Sequence, residues 1–325
     1  MLLAGVLAPA LANDDAKLQS VTLQLNWKHQ FQFAGYYAAI EHGYYRDAGF
    51  SVRLQEQQAD RDPVDVVLSG EADFGVGASE LALRRAQGLP VVVLASILQH
   101  SPLVLIVPGH GGVTLHELAG KKIMLLPHEK ELIAYLKMEQ LPLDRVVVVQ
   151  HSFNVNDLLA GKVSAASGYS TDEPFLLKKA GVSFNLMSPR ASGIDFYGDS
   201  LFTSEKLASA RPEQAAAFLN ASLRGWRYAM GHHGEMADLI IARYSRRKSR
   251  DHLLFEAAEM QRLMQPNLVE IGYMNPRRWD QVAATYAKLG MLPPSYSLDG
   301  FLFQRVQPTG WKLRYKNGAV ASIIF

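Results

Sequence analysis

The sequence predicts an α/β protein with two lobes facing each other across a cleft. Three observations carry this: short apolar strands alternate with helices up to about residue 186, a strand–turn–helix passage recurs about 90 residues later, and the last third turns helical. In order, "VTLQLN" reads as a strand, 34–47 as a helix, "FSVRLQ" as a strand and 62–69 as a helix. "ADFGVG", a helix over 79–87, "PVVVLAS" and "LVLIV" follow, and the second stretch repeats the scheme with "KKIMLL", 129–139, "RVVVVQ", 154–160, "VSAAS" and a helix from 171. This alternation predicts βαβ units and parallel sheets. From 204 onward the pattern is helical, and "ARPEQ" and "MNPRRW" put proline in a first turn.

The 325 residues carry a formal charge of +2, which gives no global field toward nucleic acid. There is no cysteine, so disulfides, thiolate nucleophiles, cysteine–zinc sites and a lipidated N-terminal cysteine are excluded. "MLLAGVLAPALANDD" ends its apolar run in Ala10-Leu11-Ala12, a small-x-small pattern that predicts export, with 1–12 as a signal-peptide remnant. A buried N-terminal helix is the other reading of that run. No later run approaches the about 20 apolar residues of a membrane span. The tail 301–325 closes on "AVASIIF", read as a stub or as the start of a membrane anchor.

The repeated passage is the main functional signal. In "VVLSGEADFGVGASE" and "DLLAGKVSAASGYSTDE" a helix ends at Gly70 or Gly161, and a strand then runs into small residues. A new helix opens at Ser79-Glu80 or at Ser170-Thr171-Asp172-Glu173. Small residues let a ligand approach the strand end, and helix N-termini offer free N–H groups. Ligands of open α/β sheets lie outside the carboxyl ends of the strands. A βα turn without a ligand has some of the same features, so the pairing of the two passages is what informs.

"LNWKHQFQFAGYYAAIEHGYYRDAGF", residues 25–50, holds eight aromatic residues. Tyr36, Ala39, Ile40 and Gly43 have helical spacing, so part of the cluster packs a helix on the sheet. The loop group from Trp27 to Phe33, beside Asn26, Lys28 and Gln30, suits stacking on a flat ligand. Acids recur at the same edges: Glu80, Asp172, Glu173, and Asp199 in "FYGDSLFTS". Together with aromatic faces they favour a planar ligand carrying amino groups. Alone, each is an ordinary cap or surface acid.

Other signals are weak. "GHHGEM" is not HExxH, "GHGG" has no GxSxG partner, and "GVGASE" lacks dinucleotide-loop spacing. "RYSRRKSR" is basic but has no interleaved aromatics, so it reads as an inter-helix loop and not as a nucleic-acid surface.

Residues 25–50, "DPVDVVLSGEADFGVGASELALRRAQGLPVVVLASILQHSPLVL", "GYSTDEP" and "FYGDSLFTS" resemble the SsuA/THI-like family of solute-binding proteins and thiamine pyrimidine synthases, over roughly residues 20 to 300. The resemblance implies a type II periplasmic-binding-protein fold, with lobe one at 20–105 and 200–300 and lobe two at 106–199. The synthases look to carry a lysine and a histidine after the strand "ADFGVG", and a cysteine-rich segment. Here Gly77 and Ser79-Glu80-Leu81 stand at those places and no cysteine exists, so the resemblance implies a binder without cofactor. The expected solute is a thiamine-related pyrimidine. The expected partner is an ABC permease or a fused membrane signalling module, in the periplasm. The expected ligand contacts are Asn26, Trp27, Phe33, Ser79, Glu80 and Gln99 from lobe one, and Asn154, Thr171 and Glu173 from lobe two. Tyr197 and Asp199 complete the set, Asp199 near a hinge.

Overall fold

The computed structural model of the protein describes residues 18–58 and 61–304. The expected signal-peptide remnant and the tail beyond residue 304 lie outside the described residues. No described helix is long and apolar enough to cross a membrane.

The chain begins with β1 (Gln19–Gln24), α1 (Ala34–Glu41), α2 (Tyr44–Asp47) and β2 (Phe50–Gln55). The single helix expected over 34–47 is broken because Gly43 takes a left-handed backbone (φ 72°), a conformation that costs glycine nothing. Next come α3 (Pro63–Leu68), β3 (Phe74–Gly77), α4 (Glu80–Ala86) and β4 (Val91–Ser96). Asp62 caps α3 by accepting from the Val64 N–H (2.9 Å), with Pro63 in its first turn. The unbroken run of β4 is buried throughout, as expected of an interior strand. These four strands and β10 (Ser200–Ser204) form one sheet, in the order β2-β1-β3-β10-β4.

A second sheet, ordered β7-β6-β8-β5-β9, collects the middle of the chain. Its strands are β5 (Leu103–Pro108), β6 (Lys122–Leu125), β7 (Val147–Gln150), β8 (Ala165–Tyr169) and β9 (Phe184–Met187). Between them lie α5 (Lys130–Met138), α6 (Val155–Leu159) and α7 (Glu173–Lys179). The last part supplies α8 (Glu205–Ala210), α9 (Pro212–Gly231), α10 (His233–Arg243), α11 (Arg250–Met264) and α12 (Pro276–Lys288). Of these, α9 packs on α1 and α12 packs on α4, so this region belongs with the first sheet. Each sheet with its helices is a lobe of a type II periplasmic-binding-protein fold.

The sheets are mixed, not parallel as the alternation predicted. β10 runs antiparallel between β3 and β4, and β5 antiparallel to β8 and β9. Both odd strands follow a crossing between lobes. Each enters its new sheet from the cleft end and must run against its βα neighbours: Ser200 pairs with Gly77 and Leu103 with Tyr169. The two crossings are tied by backbone bonds from Ile97 N–H to the Asp199 carbonyl (2.8 Å), Gly198 N–H to Leu98 (3.1 Å) and Ser101 N–H to Phe196 (2.9 Å). The carboxyl ends of β1, β3, β6 and β8 therefore face one another beside this double crossing.

Candidate functional site in the cleft

The repeated passage folds into the same device twice. At one edge, Glu80 opens α4 and turns back so that its Oε1 accepts from the Ala78 N–H (2.8 Å). At the other, Glu173 opens α7 and its Oε2 accepts from the Tyr169 N–H (2.8 Å). The glycines at the strand ends make room for these carboxyls. A Cβ on Gly77 would stand 2.9 Å from the Glu80 Oε1, and one on Gly168 2.7 Å from the Glu173 Oε2. Burial pushes Glu80 up to about 8 and raises Glu173 well above the usual carboxylate range, the neighbouring Asp172 adding to the second shift. Glu129, whose Oε2 accepts from the Leu126 N–H (2.7 Å), is raised by burial to about 7. Near neutral pH these carboxyls offer both a proton to donate and an oxygen to accept with.

Asp199 joins the lobes. Its carboxylate accepts from Asn26 Nδ2 (3.0 Å) and Gln32 Nε2 (2.8 Å) of lobe one and from the Tyr169 hydroxyl (3.1 Å) of lobe two. Burial lifts it to about 6, with the three donors pulling the other way. Its backbone carbonyl sits in the double crossing, so the side chain forms the cleft floor where the chain passes between the lobes.

Trp27 stands between the lobes. Its indole meets Phe153 edge-on (centroids 4.7 Å, 61°) and His151 likewise (5.4 Å, 69°), both from the turn after β7. Phe153 holds a left-handed backbone (φ 57°), a strain on the order of 1 kcal/mol for a non-glycine residue. His151 offsets it: Nδ1 accepts from the Phe153 N–H (2.9 Å) while Nε2 faces the Ser167 carbonyl (3.2 Å). That pattern selects the neutral tautomer with hydrogen on Nε2, consistent with burial pushing this imidazole down to about 4. Behind these rings is a chamber of about 180 Å³ with an apolar wall from lobe two, including Ile106, Met124 and Leu158. Its polar edge carries Gln30, Ser167, Asp172 and Glu173. The buried Gln30 Oε1 has no hydrogen-bond partner. A chamber walled by rings and carboxyls suits a flat molecule with N–H groups on its edge.

With this geometry established, comparison with known proteins is informative. Residues 30–236 match the family described as NMT1/THI5 like. The chain belongs to that family. A riboflavin-binding protein, RibY of Chloroflexus aurantiacus, is 29% identical over 243 residues, covering 72% of this chain and 69% of that protein. A formylaminopyrimidine-binding protein of Halalkalibacterium halodurans is 25% identical over 239 residues, covering 71% of this chain and 72% of that protein. Among solved structures, the alkanesulfonate-binding protein SsuA of Xanthomonas axonopodis pv. citri bound to MOPS superposes with a TM-score of 0.66 at 13% identity, covering 84% of this chain and 94% of that one. The last likeness is one of fold.

Several expected contacts lie away from the cleft. Phe33 is wholly buried in the lobe-one core, as is Phe31, because the loop turns into a short 3-10 helix that faces inward. Gln99 is spent on the backbone, its Nε2 donating to the Tyr273 carbonyl (3.0 Å). Asn154 is an exposed N-cap of α6, its side chain accepting from the Asn156 N–H (3.0 Å). Tyr197 is buried under Trp279, with its hydroxyl accepting from the Asn275 N–H (2.9 Å). Ser79 borders the cleft but shares a hydrogen bond with the Tyr286 hydroxyl (2.8 Å), and Thr171 is buried in the turn before α7. Asn26, Trp27, Glu80, Glu173 and Asp199 are the expected residues that the cleft brings together.

Sequence reasoning set Gln30 beside the loop group without assigning it a contact, and missed Gln32, Glu129, His151, Phe153 and Tyr169, and above all Lys248, His252 and Glu256. Lys248 comes from the basic run that read as a solvated loop, yet its ammonium is buried in ion contact with Asp172 and Glu256. His252 Nε2 lies 2.8 Å from Asp172 Oδ1. Ligand atoms of Asp172, His252 and Glu256 fall within 4.8 Å of one another, a spacing that could hold a metal ion. The Lys248 ammonium lies among them, so the cation position of this cluster is filled by the chain itself.

Proposed function

We propose that the protein is an exported receptor that captures a small planar nitrogen heterocycle, a thiamine-related pyrimidine, by closure of its two lobes. It would deliver that solute to an ABC permease or report it to a membrane signalling module. The observation that carries this reading is the chamber beside Trp27, with ring walls and protonatable carboxyls. Its size favours one ring. At about 180 Å³ it falls below the ~300–1,000 Å³ of drug-sized sites, so a three-ring flavin would need a wider cleft. Its charges are largely paired, Asp172 and Glu256 meeting Lys248 and Glu56 meeting Arg247, while the Lys28 ammonium lies over the Phe153 ring.

The enzyme reading finds no support in the residues at the lysine position of the synthases. A side chain at position 77 would run into Glu80 and Leu81, at 2.9 and 3.0 Å from its Cβ. A yellow, borohydride-reducible pyridoxal-phosphate adduct on the purified protein would overturn that conclusion.

Calorimetry and thermal shift with a panel of aminopyrimidines, riboflavin and alkanesulfonates test the proposal. An aminopyrimidine at ~100 times its Kd should add ~2.7 kcal/mol of stability, with sulfonates silent. Riboflavin binding tighter than every pyrimidine would overturn the single-ring assignment. Silence from the whole panel would overturn the solute class.

A further inference from the structure

We propose that Asp172, His252 and Glu256 form a cation slot whose resident ion is the Lys248 ammonium, and that this slot holds the two lobes together over the ligand chamber. The ligand readout below rests on the binding function proposed above; the conformational readout does not.

The slot is split between lobes. Asp172 comes from the turn between β8 and α7 in lobe two, whereas Lys248, His252 and Glu256 come from the loop before α11 and from α11 itself. Its side chains are among the most enclosed charged groups of the protein, with Glu256 and His252 each 2% exposed and Asp172 6%. Lys248 touches Asp172 across the cleft and Glu256 on its own side. His252 Nε2 reaches both Asp172 Oδ1 (2.8 Å) and the Asp172 carbonyl (3.2 Å). The Phe175 ring of α7 stacks on the His252 imidazole from the other lobe, centroids 4.5 Å apart and 16° from parallel.

The slot is also wired to the chamber. The second Glu256 oxygen, Oε2, accepts from the Phe31 N–H (2.8 Å), which anchors the loop carrying Trp27 and Gln30. Asp172, Lys248 and His252 form part of the chamber wall, and Asp172 precedes Glu173. Closing the slot therefore brings the Glu173 wall and the Trp27 wall into register. Separating the lobes would break the Lys248–Asp172 and His252–Asp172 contacts and the Phe175–His252 stack together. Closure and occupation of the slot are then one event.

Small-angle scattering of the unliganded protein and ligand dissociation kinetics test this. Asp172→Asn removes the lobe-two partner and should increase the radius of gyration and raise the dissociation rate of the aminopyrimidine found by the panel by about tenfold, since breaking a buried charge pair acts on dissociation. Glu256→Gln leaves the Lys248–Asp172 contact across the cleft and should keep the wild-type radius. Lys248→Ala should open like Asp172→Asn, and zinc chloride, taking the vacated position, should restore the compact radius in Lys248→Ala but not in Lys248→Ala/Asp172→Asn. Wild-type radii in Asp172→Asn and Lys248→Ala overturn the proposal. Opening without rescue by zinc overturns the assignment of the cluster as a cation slot. Scattering needs no ligand, so it decides the matter even if the solute panel finds no binder. Should Lys248→Ala fail to fold, as judged by circular dichroism, Asp172→Asn decides alone.

Discussion

The two strand–glycine–glutamate edges of the cleft share a backbone solution and differ in what surrounds it. At the Glu80 edge, the carboxyl faces a polar region with Arg84, Asp62 and His128. At the Glu173 edge, the carboxyl faces the apolar interior of lobe two and the Lys248 cluster. One local device, formed by a strand-end glycine and a helix-opening acid, thus yields a polar pocket in one lobe and a ring-walled chamber in the other. The neighbours, not the motif, set the chemistry. Trp27 marks the divide, bordering both the ring chamber and the small cavity beside Glu80.

Trp27→Ala tests that division most severely. Without the indole the ring chamber would open onto the polar side and lose its stacking wall. Removing an aromatic anchor from an enclosed site typically costs ~3 kcal/mol of binding, more than a hundredfold in Kd. Calorimetry with a bound aminopyrimidine should show that loss with an unfolding midpoint close to wild type, because Trp27 is only partly buried. An unchanged Kd would mean that the ligand sits at the Glu80 edge instead.

Much of this comparison was legible in the sequence, for reasons specific to each residue. The echo at Gly77–Glu80 and Gly168–Glu173 was readable because a local turn needs local residues, and both ends of each turn lie within a few positions of one another. Asn26, Trp27 and Asp199 could be placed because they end or begin strands. The reversed strands β5 and β10 were not readable from alternation, since strand direction is set by the crossings, which leave no periodic trace. Lys248, His252 and Glu256 were illegible for a different reason. Their partner, Asp172, is 76 or more positions away, and nothing in "RYSRRKSR" distinguishes one buried lysine from its solvated neighbours. Phe31 and Phe33 misled because an aromatic run near a strand end does not reveal which rings a 3-10 turn sends inward.

Alanine at the two strand-end glycines sharpens the contrast next. A Cβ on Gly168 would meet Glu173 Oε2 and Ile106 Cδ1 at 2.7 Å each, whereas on Gly77 the nearest atoms are Glu80 Oε1 at 2.9 Å and Leu81 Cδ2 at 3.0 Å. Ile106 and Leu81 are both wholly buried, so the order rests on the closer approach at Gly168. Overpacking of this kind costs ~1–3 kcal/mol, so Gly168→Ala should destabilise by about 2 kcal/mol and Gly77→Ala by about 1. Denaturant unfolding checks the order. Equal losses would show that the two edges are mechanically alike after all.

The last contrast concerns protonation. Burial holds Glu80 at about 8, so between the unfolded carboxyl range and that value the folded protein keeps a proton the unfolded chain has released. The folded state then binds more protons, and stability falls as pH rises through that window, by at most about 1.4 kcal/mol per pH unit from this group. Glu80→Gln removes the titration while keeping an oxygen for the Ala78 N–H. Its midpoint relative to wild type should therefore climb between pH 5 and pH 8. Glu173 is raised in the same direction by burial and by the neighbouring Asp172, with Lys248 opposing, so the Glu173→Gln midpoint should also climb over the same range. Melting curves of the two variants at both pH values measure the difference. A Glu80→Gln midpoint that tracks wild type across the range would show that the Glu80 edge is wet enough to ionise freely, and the contrast between the edges would then rest on charge partners alone.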